Sequence, residues 1–326
     1  MKKIVIIGGG IAGLTAGIFA QKNGFESIIL EKHHTLGGEC TGWDRQGYHI
    51  DGCIHWLLGT KEGTPLHDLW TTVGALDGVE IYSPESFLAF EHEGVTVHFY
   101  RDLERLKSSW LEISPEDKDT IEQFCKVIKQ LQSFEIPVGK PMDMMNNMMN
   151  IFEKIKYIAS MKDVGPIMQK YGKIRLHEYA KTFKHPALRE ALASFMPEGE
   201  YSADAWENLA KDQEAYTREK ARIGEVIIRA METRFPHMTG KLKVLDVATP
   251  KTYERYCNAY RGAFMGFWPT IRGKMMSHTG RIKGLNNIFL SGQWLQPPGG
   301  LPVALITGKD TIMRLCKQEK QPFIKS

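Results

Sequence analysis

The N-terminal part of the chain alternates short apolar runs with glycines. Residues 3–7 (KIVII) are rich in β-branched side chains and predict a buried strand. Apolar residues at helical spacing, among them Leu14 and Ile18, predict a helix that ends at Gly24. A second apolar run at 27–30 predicts the next strand. The pattern therefore predicts a β-α-β unit.

The middle of the chain, residues 64–196, has mainly helical spacing with one interruption. Two β-rich runs, 87–90 and 95–99, flank Glu-Gly at 93–94 and predict a hairpin. Residues 114–117 (SPED) predict a helix start, with a capping serine, a proline in the first position and an acid that reaches back. This region is therefore expected to be a helical layer with one small sheet.

A methionine-rich segment lies at 142–149 and is followed by apolar residues up to Ala159. Its apolar stripe, with lysines on other faces, predicts an amphipathic helix. Two interpretations stay open. The more common one is packing on the protein core. The other is a surface helix that dips into a bilayer, because methionine is pliable and lysines favour anionic headgroups.

Composition restricts the class of protein. Of the 326 residues, 42% are apolar and 25% are charged, which is typical of a folded globular protein of about two domains. The net charge of +4 gives no reason to expect a nucleic-acid partner. Five scattered cysteines predict neither a disulfide framework nor a zinc site, and no apolar run reaches the ~20 residues of a membrane span. We expect a cytoplasmic protein with, at most, peripheral membrane contact.

Residues 8–13 (GGGIAG) match the Gly-x-Gly-x-x-Gly pattern of dinucleotide-binding turns and join the first strand to the helix. In that pattern Gly8 allows a tight turn, Gly10 lets the backbone approach a diphosphate, and Gly13 brings the helix close to the strand. The helix start favours an anion. Glu31 can bind a ribose diol and would repel a 2′-phosphate, which favours FAD or NAD over NADP. An ordinary glycine turn is the alternative.

Further glycine motifs follow the acid and recur near the C-terminus. Residues 37–38 are a glycine pair, and 45–52 read RQGYHIDG. Residues 246–256 read DVATPKTYERY. Residues 287–302 predict a strand that enters a glycine, then a proline- and glycine-rich stretch, and a helix is expected from about 303 to 316.

Together these motifs resemble the FAD-dependent phytoene desaturase, carotenoid isomerase and retinol saturase group. The resemblance covers about residues 1–60 and 204–318. It implies FAD, hydride transfer between flavin and an apolar polyene or isoprenoid-like small molecule, and a helical cap over a substrate tunnel. It also implies that the C-terminal glycine motif lies beside the flavin. The expected cofactor-binding residues are Gly8, Gly10, Ile11, Ala12, Gly13, Glu31, Lys32, Gly37, Gly38, Gly292, Gly300, Leu301, Pro302 and Val303.

These observations predict an α/β protein. A Rossmann-type (GxGxxG) FAD-binding domain would be assembled from both chain ends, residues 1–63 and 236–326, with a mainly helical cap and substrate region at 64–235. An NAD-binding protein that uses only the first glycine motif is a less favoured alternative, because it leaves the C-terminal motif without a role.

One section of the family pattern is missing after about residue 203. The family would continue there into a glycine-rich loop, a strand on the adenine side of FAD, a substrate-domain sheet and a further strand of the nucleotide-binding sheet. Here a helix begins directly at Asp204, with Glu207 spaced for a capping box. Loss of an interior strand exposes backbone groups and apolar surface. The alternative to an enzyme is therefore a non-catalytic remnant that binds FAD weakly or not at all.

Hydride transfer to or from flavin asks the protein to hold the substrate and exclude water rather than to supply acids and bases. The sequence contains no Ser-His-Asp, Cys-His or paired-carboxylate constellation, we expect no metal site, and the catalytic residues stay unassigned. His55, Trp56 and Tyr256 are candidates to face the flavin or the substrate. A structural role is the more common use of such residues. The sequence does not indicate an oligomeric state.

Overall fold

The computed structural model describes residues 2–52, 54, 56–132, 138–141, 143, 144, 162, 164–195, 203–266 and 277–325. The candidate His55 and most of the methionine-rich segment lie outside the described residues. No helix that the structure describes combines the length and the apolar character needed to span a bilayer.

Strands and helices alternate in the first part of the chain, and helices dominate the rest. The strands are β1 (Lys3–Ile7), β2 (Glu26–Leu30), β3 (Gly42–Arg45), β4 (Tyr48–Asp51), β5 (Ser86–His92), β6 (Val95–Tyr100), β7 (Arg281–Ile282) and β8 (Leu285–Phe289). The helices are α1 (Ile11–Lys22), α2 (Pro65–Thr72), α3 (Leu103–Ile113), α4 (Lys118–Leu131), α5 (Leu176–Ala180), α6 (Pro186–Ala193), α7 (Ala203–Leu209), α8 (Gln213–Arg234), α9 (Pro250–Cys257) and α10 (Gly300–Gln318).

The predicted β-α-β unit forms at the N-terminus. β1 and β2 pair in parallel, with Ile4 opposite Ser27 and Ile6 opposite Ile29. The side chains of Ile4 and Ile6 pack against the core to which α1 contributes. Gly17 of α1 lets the helix approach the sheet, because a Cβ on this residue would lie 2.9 Å from Cδ1 of Ile29.

The other face of this small sheet is open. Val5 is 58% exposed and Ile7 is 89% exposed. The strand predicted from residue 287 forms as β8, but it pairs antiparallel with β7 and not with β1. Among the described residues the parallel sheet therefore has two strands, and the apolar surface expected from the missing family section is exposed.

The first core lies between the two ends of the chain. Helix α10 packs along α1, and Phe19, Leu305 and Ile312 are fully buried there. A Cβ on Gly308 would lie 2.5 Å from the carbonyl oxygen of Ala12, so the two backbones touch at this point. Helix α2, which the predicted boundary at residue 63 places in the cap, belongs to this core through its buried residues Leu66, Leu69 and Trp70.

The second core contains the predicted hairpin and the helices of the middle region. Its fully buried side chains include Trp110, Ile121, Phe183 and Leu188, from α3, α4, α6 and the turn before α6. The hairpin β5-β6 turns at residues 93–94, where both residues adopt positive φ angles of 48° and 80°, as a two-residue hairpin turn requires. This part of the helical layer matches the expectation.

Neither predicted capping box forms. Ser114 donates its hydroxyl to Asp117 (2.7 Å), and Asp117 in turn accepts the backbone N–H groups of Lys184 and His185 (2.8 to 3.0 Å). A buried carboxylate is better stabilised by several donors than by one cap bond, so Asp117 joins two helices instead of capping its own.

At the second predicted box, the carboxylates of Asp204 and Glu207 both bind the guanidinium of Arg261. Helix α8, which follows, buries only Gly224 among its residues and leaves Val226 and Ile227 largely exposed. Val226 and Ile227 therefore form a second exposed apolar patch.

The contact at Gly308 generates a stability prediction. We expect Gly308→Ala to lower the free energy of unfolding by about 1–2 kcal/mol, because overpacking against a backbone oxygen outweighs the ~1 kcal/mol gain in helix propensity. The matched control is Gly165→Ala, in a helical stretch where an added Cβ meets no atom within 4 Å. Urea denaturation measures both variants. Equal stability of the two would contradict a backbone contact between α1 and α10.

Candidate functional site

The glycine turn has the geometry that its sequence predicts. Gly8 adopts a φ of +107°, which a residue with a side chain rarely adopts. A Cβ on Gly13 would overlap the carbonyl oxygen of Gly8, so only glycine lets α1 start this close to β1. The turn therefore places the N-terminus of α1 directly at the end of β1.

The start of α1 offers unpaired backbone donors. Gly10 is the N-cap residue, and no side chain forms a capping hydrogen bond there. The first turn of the helix contains no acidic residue. The first intrahelical bond runs from Leu14 N–H to the Gly10 oxygen (2.9 Å). The N–H groups of Ile11 and Ala12 precede that bond, so they remain available to an anion.

Glu31 lies at this turn. One carboxylate oxygen accepts the Gly9 N–H (2.6 Å), and the other accepts the His33 N–H (2.8 Å). These backbone hydrogen bonds, that from His33 first, hold the pKa of Glu31 below its ordinary value. The carboxylate is therefore negatively charged at neutral pH. Lys32, beside it, is exposed and donates to Asn258 (3.1 Å), which follows α9.

The second glycine pair packs on the first. Gly37 N–H donates to the Gly9 oxygen (2.9 Å), and Gly37 forms a β-bridge with Gly10. A Cβ on Gly38 would lie 3.2 Å from Cα of Gly10. The two predicted glycine motifs are thus in backbone contact.

Gln293 connects the C-terminal motif to the segment that follows the second glycine pair. Its Nε2 donates to Glu39 Oε2 (2.5 Å) and to the Phe264 oxygen (3.2 Å), and its Oε1 accepts the Gly300 N–H (2.8 Å). Three segments that are far apart in the chain therefore meet at one side chain. Sequence reasoning missed both Gln293 and Glu39. The only available signal was their position directly after glycines of the two motifs.

The predicted C-terminal residues are close in the chain to Gln293, whose contacts with Glu39, Phe264 and Gly300 we call the junction. Gly292 N–H donates to Thr307 Oγ1 (3.1 Å), which ties the strand end to α10. Gly300 begins α10 with a φ of +77°, Leu301 and Pro302 are half-buried, and Val303 is buried. Gln293 connects this stretch to Glu39, which directly follows Gly37 and Gly38 in the chain. Contact of these residues with a flavin stays a prediction.

A second bridge joins two other motif segments. Residues 45–52 form most of the β3-β4 hairpin, and Arg45 donates to Asp246 (2.6 Å). Lys220 also donates to Asp246 (2.9 Å). The hydrogen bond from Lys220, followed by that from Arg45, lowers the pKa of Asp246 to about 2, so this ion pair persists over the whole physiological pH range.

Glu39 is the electrostatically unusual group at the junction. Burial raises its pKa to about 7, although the hydrogen bond from Gln293 acts in the opposite direction. Its Oε1 is buried and has no hydrogen-bond partner among the described residues. A buried polar atom without a partner is uncommon in folded proteins and calls for an explanation.

The described candidates for contact with substrate lie on the surface. Trp56 is 59% exposed, and its ring meets Phe87 at 5.4 Å between centroids in a T-shaped arrangement. Tyr256 is 50% exposed and carries the guanidinium of Arg255 over its ring. Within the described part of the chain, no cluster of His, Cys, Asp or Glu is arranged to hold a metal ion.

Comparisons with known proteins support a dinucleotide-binding fold at the N-terminus. Residues 6–73 match the family model of NAD(P)-binding Rossmann-like domains. This match includes α2, in agreement with its place in the first core. The N-terminal segment is therefore a Rossmann-like dinucleotide-binding segment in a mixed α/β protein.

Relatives of known function match a larger part of the chain. Human all-trans-retinol 13,14-reductase is 26% identical over 134 residues, which are 40% of this chain and 22% of the relative. A 1-hydroxycarotenoid 3,4-desaturase from a Flavobacterium is 30% identical over 130 residues, 38% of this chain and 25% of the relative. The lycopene-forming phytoene desaturase of Pseudescherichia vulneris is 28% identical over 127 residues, again 38% and 25%.

Each match thus spans no more than a quarter of the relative's length. In this chain, the glycine turn, the acid after β2 and the second glycine pair have the arrangement described above. The chain is a distant homologue of the carotenoid desaturase and retinol saturase family of oxidoreductases.

Proposed function

We propose that this chain binds FAD and transfers hydride between the flavin and an apolar polyene or isoprenoid-like substrate. The observation that carries the proposal is the junction at Gln293, which joins the C-terminal glycine segment to the glycine pair on the dinucleotide-binding turn. A protein that used the first motif alone would not need this contact.

The residues at the dinucleotide-binding turn and in the C-terminal glycine segment fit a dinucleotide. The unpaired N–H groups at the start of α1 suit a diphosphate, and the ionised carboxylate of Glu31 suits a ribose diol and disfavours a 2′-phosphate. Gly292 and residues 300–303 would lie along the flavin end. When bound, FAD supplies the hydride acceptor or donor. The work of the chain is to hold the substrate and exclude water.

The surface around Trp56 suits an apolar ligand. Trp56 follows the β3-β4 hairpin, and its ring contacts Phe87 of β5. Phe87 stacks in turn on Phe195, with 6.3 Å between the ring centroids. This aromatic row leads from the nucleotide-binding part to the second core. The names of the three relatives include retinol, a carotenoid and phytoene, which supports an isoprenoid-like substrate.

A non-catalytic remnant is the second candidate function. The exposed apolar face of the two-stranded parallel sheet favours it, since such sheets normally have both faces covered. The short match to each relative favours it as well. A remnant would keep the glycine turn but would not retain a flavin.

The visible spectrum separates the two candidates. We expect the purified protein, after incubation with FAD and removal of excess, to carry about one flavin per chain, with a band that bleaches on addition of dithionite. The physical reason is that both halves of the junction are already in contact. A folded protein that stays colourless at all FAD concentrations would contradict the oxidoreductase and support the remnant.

Glu31 generates a second prediction. Glu31→Gln removes the negative charge at the ribose position and replaces one of the two acceptor oxygens by an N–H donor. We therefore expect the Kd for FAD to rise roughly tenfold to a hundredfold. Titration of intrinsic fluorescence with FAD measures the Kd.

The matched control for this variant is Glu26→Gln, at the opposite end of β2. Glu26 is exposed and forms an ion pair with Lys3 (3.0 Å). We expect the Kd of the Glu26→Gln variant for FAD to equal that of the unmodified protein. A Glu31→Gln variant that folds and binds FAD as tightly as this control would refute the ribose assignment.

A further inference from the structure

We propose that Glu39 is a positioning residue that, in its protonated form, donates a hydrogen bond from Oε1 to an acceptor atom of the bound FAD. This inference rests on the proposed function. It assigns a role to a buried carboxyl group that none of the predicted motifs uses, and it makes retention of the cofactor dependent on pH.

The position of Glu39 follows from the glycine packing. Glu39 comes directly after Gly38, whose Cα lies against that of Gly10 at the dinucleotide-binding turn. The Oε2 atom of Glu39 accepts a hydrogen bond from Gln293 Nε2 (2.5 Å). The side chain therefore bridges the two halves of the proposed FAD site.

Gln293 has no freedom to change its role. Its Oε1 is used by the Gly300 N–H, and its Nε2 is also held by the Phe264 oxygen. The amide must therefore present its N–H side to Glu39. Glu39 Oε2 has to be an acceptor, and Oε1 is the only oxygen of this carboxyl group that can carry a proton without disturbing the bond to Gln293.

The surroundings of Glu39 disfavour a charged carboxylate. The titratable groups beside Glu39 are the thiol of Cys40, next to it in the chain, and the thiol of Cys257, and burial raises the pKa of both thiols. Arg45 and Lys32, the lysine and arginine residues nearest to Glu39 in the sequence, donate to Asp246 and Asn258 instead. Burial raises the pKa of Glu39 to about 7, so a proton is available on this group at neutral pH.

A neutral acid also matches the chemistry of the ligand. The diphosphate and the ring system of FAD present mainly acceptor oxygens and nitrogens. A carboxylate at Oε1 would repel these atoms, whereas the protonated acid donates to them. A buried donor that meets an acceptor only when the cofactor is bound explains why Oε1 has no partner among the described residues.

The sign of the pH dependence follows from linkage. If FAD binds the protein with Glu39 protonated, the affinity for FAD is highest below the pKa of Glu39, which is about 7. Above that pH the binding must take up a proton, and the Kd rises by up to tenfold per pH unit. The affinity therefore falls between about pH 7 and pH 9.

The test compares the Kd for FAD from pH 5.5 to pH 9 in the unmodified protein, two variants of Glu39 and one control variant. The methods are fluorescence titration, and calorimetry in two buffers of different ionisation enthalpy. We expect the unmodified protein to lose affinity above pH 7 and to take up close to one proton at pH 8.5. Glu39→Gln keeps an N–H donor at every pH, so its Kd should stay flat and close to the low-pH value of the unmodified protein. Glu39→Ala should bind about tenfold more weakly than the unmodified protein at pH 5.5.

The outcomes distinguish this inference from the proposed function. A Glu39→Gln variant that keeps the pH dependence of the unmodified protein, or an unmodified protein whose Kd does not change with pH, would overturn the role of Glu39 and leave FAD binding intact. No FAD binding at any pH, with circular dichroism showing a folded protein, would overturn both. Glu26→Gln, far along β2, serves as the control and should retain the pH profile of the unmodified protein.

Discussion

The two ends of the chain are held together where the backbone of α10 rests on the backbone of α1. Gly308 carries no side chain, and this lets α10 approach Ala12 and Thr15 closely. Because α10 begins at Gly300, the same contact sets the position of the glycine segment that precedes it. Gln293 can therefore reach both Glu39 and the helix start, and the candidate site depends on this helix packing.

Buried charges fix α10 from its other side. Lys309 is fully buried and donates to the backbone oxygens of Val138 and Gly139. Arg314 forms two hydrogen bonds with Asp143 through its Nε and Nη2. Burial lowers the pKa of Lys309 and raises that of its neighbour Asp310. Such groups add little net stability, but their need for specific partners favours one orientation of the helix.

Local patterns predicted local structure well and predicted caps poorly. The glycine turn and the hairpin at residues 93–94 depend on neighbours in the sequence, and both formed as expected. Asp117 and Asp204 have the spacing of capping residues, yet each binds a donor from a distant segment. A sequence window contains the near donor and not the competing distant one, which is why the spacing misled at these two sites.

The sequence by itself determined the β1-α1-β2 unit, the identity of its glycines and the acid at the turn, because those features follow from chain stereochemistry over a short stretch. It also indicated that a section of the family pattern is missing, which exposes backbone groups and apolar surface unless the remaining parts of the sheet close on each other. Only the tertiary structure decided that β8 pairs with β7, that α2 joins the first core, and that Gln293 meets Glu39. These contacts join residues far apart in the chain, and burial and competition among distant partners select them.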